Sequence, residues 1–236
     1  MAAAGFTTLL MLGFFTGMFS NNYTTIIAEK GEKKEIKMDD GSVIFLNGNS
    51  SITYENNFTE ERTVKLQGEA FFKVARDTAH PFTIKSKDLE TRVLGTSFNI
   101  KSYKDQVPMV SVNTGKVEVT PLKNPEYKVI LTKDQQASFK ENRKPKISKG
   151  DSRDFNAWTR KMIILKNISL EHTAKIIENW YDVNIQFADD SLKQLKITGK
   201  FNDEKLSNVL KSLALIKNLK IDSTNKKQII IRKNPI

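Results

Sequence analysis

Cysteine does not occur in this chain of 236 residues. Its absence removes disulfides, thiolate metal sites, thiol nucleophiles and a lipid-carrying cysteine together. Histidine is nearly as scarce: the two copies stand far apart, at His80 and His172, so no histidine cluster is available for a metal or for general acid–base work. His80, in the turn AHPF, reads as a surface histidine, and His172 as one on the polar side of a helix. The glycines follow neither G-x-G-x-x-G nor G-x-x-x-x-G-K-[ST], so the phosphate cradles are missing. Acidic pairs are confined to Asp39-Asp40 and Asp189-Asp190, in the turns DDGS and ADDS. Adjacent carboxylates on extended backbone point to opposite faces and do not grip one ion. The expectation is no catalytic residue, no cofactor and no metal.

Acids are also outnumbered, 27 against 38 Lys and Arg, for a net charge of +11. That balance raises nucleic acid or an anionic membrane as partners. The cations cluster in residues 143–161 and along the last 45 residues, where aromatics do not alternate with them as base stacking requires. Nucleic acid is therefore not expected, and a basic face near anionic headgroups accounts for the charge. The first twenty residues, MAAAGFTTLLMLGFFTGMFS, hold no ionisable side chain. As a helix they would cover roughly 30 Å, the thickness of a bilayer's hydrocarbon. Residues 1–20 read as a transmembrane helix. A cleaved signal peptide fits less well, because no Lys or Arg precedes the apolar run and no A-x-A site follows it. Lys30, Lys33 and Lys34 would point the body inward on a naive positive-inside count, but that rule needs both flanks. The expectation is that a natural amino-terminal portion lies outside this sequence.

From Tyr23 to about Phe139 short apolar runs such as VIFL, TVKL, FTIK, SFNI and KVEV alternate with turn formers such as DDG, NGN and NTG. Strands at that spacing predict an all-β domain over residues 21–139, a coiled or roll-like sheet with few open edges. Residues 140–161, polar and carrying Pro and Gly, read as a linker. Beyond it the period becomes helical: Leu170, Ala174, Ile177 and Tyr181 form a stripe that Thr173, Ile176 and Trp180 widen, behind an N-cap at Ser169. A second helix carries Leu206, Val209, Leu210 and Leu213, with Asp203 as its expected cap. With flanking strands, residues 162–236 predict a small α+β domain in which β-α-β occurs twice.

The stretches MDDGSVIFLNGNSSITY at 38–54, LQGEAFFKVARDTAHPF at 66–82, VLGTSFNIKSY at 93–103 and NTGKVEV at 113–119 together resemble the FecR family of single-pass signal transducers, many of them anti-sigma factors. The tail, with NISLEHTAKIIENWYDVNIQF and ITGKF, is similar to the family's carboxyl-terminal domain, itself similar to the STN domain of secretins and TonB-dependent transducers. The resemblance implies a bacterial inner-membrane protein with its bulk in the periplasm. Its implied partners are the signalling domain of a TonB-dependent outer-membrane receptor and an ECF sigma factor. Two departures stand out. The family's cytoplasmic, sigma-holding region has no counterpart before the membrane segment, and LTKDQ at 131–135 replaces a turn of the L-x-PGE kind.

The resemblance makes GEA-x-F a strand and turn element, with Gly68 relaxing the backbone and Glu69 satisfying a neighbouring group. The last strand, QIIIR, is apolar at consecutive positions, so both its faces need cover. Ile229, Ile230 and Ile231 either receive a partner's strand by edge addition or are ordinary core. Two rival classes also remain: a carbohydrate-binding or cell-envelope domain, for which Trp158 and Trp180 are the available indoles, and an envelope enzyme, for which no pocket of His, Asp and Ser is legible.

Overall fold

The computed structural model describes residues 22–59, 61–225 and 227–234. The expected membrane segment at 1–20 lies outside them, and among the described residues no helix is long and apolar enough to cross a membrane.

Thirteen strands build the first domain. In chain order they are β1 (Tyr23–Ala28), β2 (Lys34–Lys37), β3 (Val43–Leu46), β4 (Ser50–Glu55), β5 (Thr63–Lys73), β6 (Phe82–Ser86), β7 (Leu89–Val93), β8 (Ser97–Ser102), β9 (Met109–Thr114), β10 (Lys116–Pro121), β11 (Val129–Thr132), β12 (Gln135–Ser138) and β13 (Lys146–Lys149). They form one curled sheet that turns on β5. The first half of β5 pairs with β4 and β6, the second half with β3 and β8. The switch falls at Gly68. Its φ of +94° is a conformation that disfavours any side chain, and a Cβ there would stand 2.3 Å from Ser50 Oγ. Before Gly68 the strand alternates, with Val64 and Leu66 buried and Lys65 and Gln67 exposed. After it Glu69, Ala70, Phe71 and Phe72 are all buried, so both faces have cover. One face is the curl's own core, where Phe72 stacks on Phe98 with centroids 5.1 Å apart.

The turn at LTKDQ survives its change of sequence. Asp134 takes the left-handed conformation, φ +65°, which Asp tolerates well, and the Gln135 amide oxygen accepts from Thr132 N at 2.8 Å.

Residues 140–161, expected as a linker, are folded against this domain. β13 pairs with β12. The single turn α1 (Ser152–Phe155) is capped by Asp151, which accepts from Arg153 N. Ser152 is stitched to the sheet through Asn113 Nδ2, which donates to its carbonyl at 2.6 Å, and Asp134 Oδ1, which accepts from its N–H at 3.1 Å. A 3-10 turn at Ala157–Arg160 then buries Trp158.

The second domain runs β14 (Met162–Ser169), α2 (Leu170–Tyr181), β15 (Asn184–Phe187), β16 (Lys196–Asn202), α3 (Leu206–Lys217), β17 (Leu219–Asn225) and β18 (Gln228–Lys233), the twofold β-α-β order. β14 and β16 make a two-stranded sheet, and β15-β18-β17 a three-stranded one. Leu170, Ile177, Val209 and Leu213 share a core with both sheets. Ser169 caps α2 by accepting from His172 N at 3.1 Å. The cap expected at Asp203 is absent: the N-cap position falls on Lys205, with no side-chain bond. Asp203 instead stands at φ +50°, paired to Lys161.

The chain's last strand is not an edge. β18 lies between β15, to which it is parallel, and β17, to which it is antiparallel. Ile229 and Ile231 are core, and Ile230 is half-buried. Both hydrogen-bonding sides of Ile229, Ile230 and Ile231 are taken, so an incoming strand finds no free edge there. Of the two alternatives for these isoleucines, ordinary core is the one this sheet order favours, because a strand late in the chain is inserted between earlier ones.

Candidate functional site at the domain junction

The second face of β5 is covered by the strap 150–161 and by α2. Glu69 lies at the centre of this contact, 9% exposed. Its Oε2 accepts from Asn47 Nδ2 and its Oε1 from Asn99 Nδ2, each at 2.9 Å. Both amides are pinned from behind. Asn47 Oδ1 accepts from Gly48 N at 2.9 Å, and Asn99 Oδ1 accepts from Trp158 Nε1 at 3.0 Å. Each asparagine must therefore turn an N–H toward residue 69, and only a group with two acceptors answers both. The GEAFF acid thus ties the strap to the β domain through a directed chain: Trp158 to Asn99 to Glu69. The expected structural role is what the geometry supplies.

Around this chain the helix α2 docks. Its inner stripe faces its own core, while His172, Lys175, Ile176, Asn179 and Trp180, at spacings of three and four, turn toward the β domain. Gly31 N donates to Asn179 O at 2.8 Å. Gly48 packs so closely that a Cβ would stand 2.6 Å from the same carbonyl. The Lys33 ammonium lies 3.3 Å from the centroid of the Trp180 ring, a cation–π contact. Tyr103 donates to Gly48 O at 2.9 Å, and burial, followed by the nearby Glu69 charge, holds its phenol well above the usual range.

At the other end of α2, Lys101 Nζ meets His172 Nε2 at 3.2 Å. Burial first, then the Lys101 and Lys175 charges, push His172 down to about 4. The imidazole is neutral at pH 7, and its Nε2 accepts a hydrogen bond from the Lys101 ammonium. A cavity of about 140 Å³ remains between these groups, lined by Glu69, Lys101, Trp158, Ile176 and Trp180 among others.

The remaining sequence candidates are committed elsewhere. Asp40 pairs with the buried Arg62 at 3.0 Å, and Arg62 also donates to the carbonyls of Ala75, Asp77 and His80. His80 Nδ1 and Asp77 form an exposed clasp at 2.9 Å. Asp189 caps a short turn and pairs with Lys233, and Asp190 pairs with Lys193. Trp158 is buried and Trp180 lies under Lys33, so neither indole is free as a sugar platform. Among the described residues no group of three His, Cys, Asp or Glu is placed to hold a metal. The sequence reading missed Arg62, Asn99 and the inward turn of His172. Only the widened stripe of α2, with Ile176 and Trp180, signalled a second buried face.

No curated protein matches the chain. Two crystal structures of a candidate anti-sigma factor from Parabacteroides distasonis, at 1.65 and 2.50 Å resolution, superpose with TM-scores of 0.83 and 0.82. Each is 28% identical, matched over its whole length and over 90% of this chain. The family described as FecR protein matches residues 24–118, and that described as FecR, C-terminal matches residues 162–231. The matched spans fall within the two domains that meet along α2, and the chain belongs to the FecR family.

Proposed function

We propose that this chain is a membrane-tethered signal transducer of the FecR type. FecR and anti-sigma proteins are regulatory, and the reading places residues 1–20 across the bacterial inner membrane with both domains in the periplasm. There the body receives the signalling domain of a TonB-dependent outer-membrane receptor and relays that contact to an ECF sigma factor. The carboxyl-terminal domain, with its doubled β-α-β order, is the STN-like receiver. Strands β15 and β17, each paired on one side among the described residues, offer edges for an incoming strand.

The observation that carries this reading is the junction itself. The two family domains meet where Asn179 O accepts from Gly31 N, Lys33 lies over Trp180 and Lys101 meets His172, while Glu69, Asn47, Asn99 and Trp158 fix the strap that leads from one domain to the other. Such an interface passes a displacement of one domain to the other. The test combines binding with output. Full-length chain in detergent is titrated with purified receptor signalling domains encoded in the same genome, and a sigma-dependent reporter is followed in cells with and without the chain. Saturable binding to one such domain, with a reporter change on deletion, is expected. A reporter indifferent to deletion, together with no binding, would sink the proposal.

A further inference from the structure

Four loops meet at one end of the β domain, and one of them, the β8–β9 loop, borders the domain junction through Gln106. They are the β6–β7 turn at Lys87–Leu89, the β8–β9 loop around Val107, the segment Pro121–Tyr127 after β10, and the β12–β13 loop at Phe139–Arg143. Together they line a groove of about 280 Å³. Its walls include Leu89, Pro108, Pro121, Tyr127 and Phe139. Val107 and Leu122 project beside it at 48% and 52% exposed.

The charge around the groove is lopsided in what is left unpaired. Asp88 and Glu141 are both taken by Lys123, at 3.9 and 2.8 Å. Lys104, Lys140, Arg143 and Lys144 are exposed and enter no ion pair among the described residues; the exposed acids at the same rim, Asp105 and Glu126, are fewer. Cations on flexible stems around protruding aliphatic side chains are the chemistry of an anionic lipid interface. The ammonium and guanidinium groups meet phosphates while the apolar tips enter the headgroup boundary. The candidate span at residues 1–20 ends just before β1, so a tethered body would never be far from such a surface.

We infer that this loop end of the β domain is a docking face for anionic phospholipid, and that the tethered body lies on its side against the bilayer. The geometry sets a condition. β1 runs in the same direction as β5 and β6, which puts Tyr23 at the strand end opposite the β6–β7 turn, so the body must recline for both the tether and the loops to touch one membrane.

The inference rests on the tethered reading of residues 1–20. The cysteine-free sequence makes its test clean. Full-length chain carrying Leu122→Cys or Val107→Cys, with Leu215→Cys on the far domain as a control (76% exposed), is labelled with an environment-sensitive fluorophore. It is then reconstituted in phosphatidylcholine vesicles with or without phosphatidylglycerol. Labels at 122 and 107 are expected to shift to the blue and to be quenched by spin-labelled lipid only when phosphatidylglycerol is present, while the label at 215 stays wet. Lys140→Gln, Arg143→Gln and Lys144→Gln together are expected to move the wet-to-buried ratio at 122 by on the order of a hundredfold at low salt, and added salt to do the same. Their thermal midpoint, measured alongside, should match the parent, as for other surface changes.

A chain retained by vesicles whose label at 122 stays wet overturns the lipid face and leaves the tether standing. A chain that fails to sediment with either vesicle overturns both. Equal burial in neutral and anionic vesicles, or shielding of position 122 only by a receptor signalling domain, also rejects an anionic-lipid face.

Discussion

Glu69 explains why an acid stands where a strand would tolerate many residues. Both asparagines are fixed by donors behind them, so Glu69→Gln would set an amide N–H against one of theirs. The expected loss is about 1–3 kcal/mol, the cost of leaving buried polar groups unmatched. Urea unfolding would register it, and Trp158→Phe in the same background should add less than it costs alone, because both changes break one chain of hydrogen bonds. His172 supplies a separate residue-level expectation. Its folded value near 4 lies below the ordinary 6.5, so the unfolded chain binds more protons between those values. Stability from this group is complete above about pH 6.5 and is lost as pH falls toward 4. His172→Gln should flatten the denaturation midpoint across that window, and an unchanged slope would show that other groups govern it.

Among the elements, β18 and α2 show how position in the sheet outranks position in the chain. β18 reads as a terminal strand yet is the centre of its sheet, so Ile229 and Ile231 pack on the shared core while Ile230 stays half-buried on the other face. Ile231→Ala should therefore behave as a core truncation, costing about 2–5 kcal/mol. Receptor binding measured on the fraction that remains folded should be unchanged, and selective loss of binding with full stability would reverse this assignment. The helix α2 has two working faces. Leu170 and Ile177 hold it to its own core, and the adjoining stripe of Ile176, Asn179 and Trp180 borders that core and lines the junction with the other domain.

For the whole molecule the junction is the feature on which relay depends. Gly48 touches Asn179 O without belonging to either core, so Gly48→Ala is expected to loosen the docking by roughly 1–3 kcal/mol, the usual cost of overpacking, and to spare both folds. Faster proteolysis within residues 140–161 and a larger radius of gyration, with near-native circular dichroism, are the expected signs. An unaltered cleavage pattern would mean that the strap alone fixes the two domains. A chain so loosened also separates two functions: a reporter that no longer responds to the receptor would place the relay in the junction.

Much of this was legible in the order of residues. Short apolar runs between turn formers marked the strands from β3 to β11, the 3.6 period marked α2 and α3, and the stretches at 38–54, 66–82, 93–103 and 113–119 together pointed to the family. These are local signals, because each reports only that one face of a segment must leave water. Nothing local says which surface will cover that face. Glu69, Asn99 and Trp158 lie 30 and 59 positions apart along their chain of bonds, Arg62 reaches back 22 residues to Asp40, and β18 enters between strands made earlier. The sequence by itself determined two domains, their element types and the absence of cysteine chemistry. Only the tertiary structure decided that β5 is covered on both faces, that the presumed linker is a strap and that the last strand is interior, because burial needs a partner surface and partner surfaces are chosen by long-range packing.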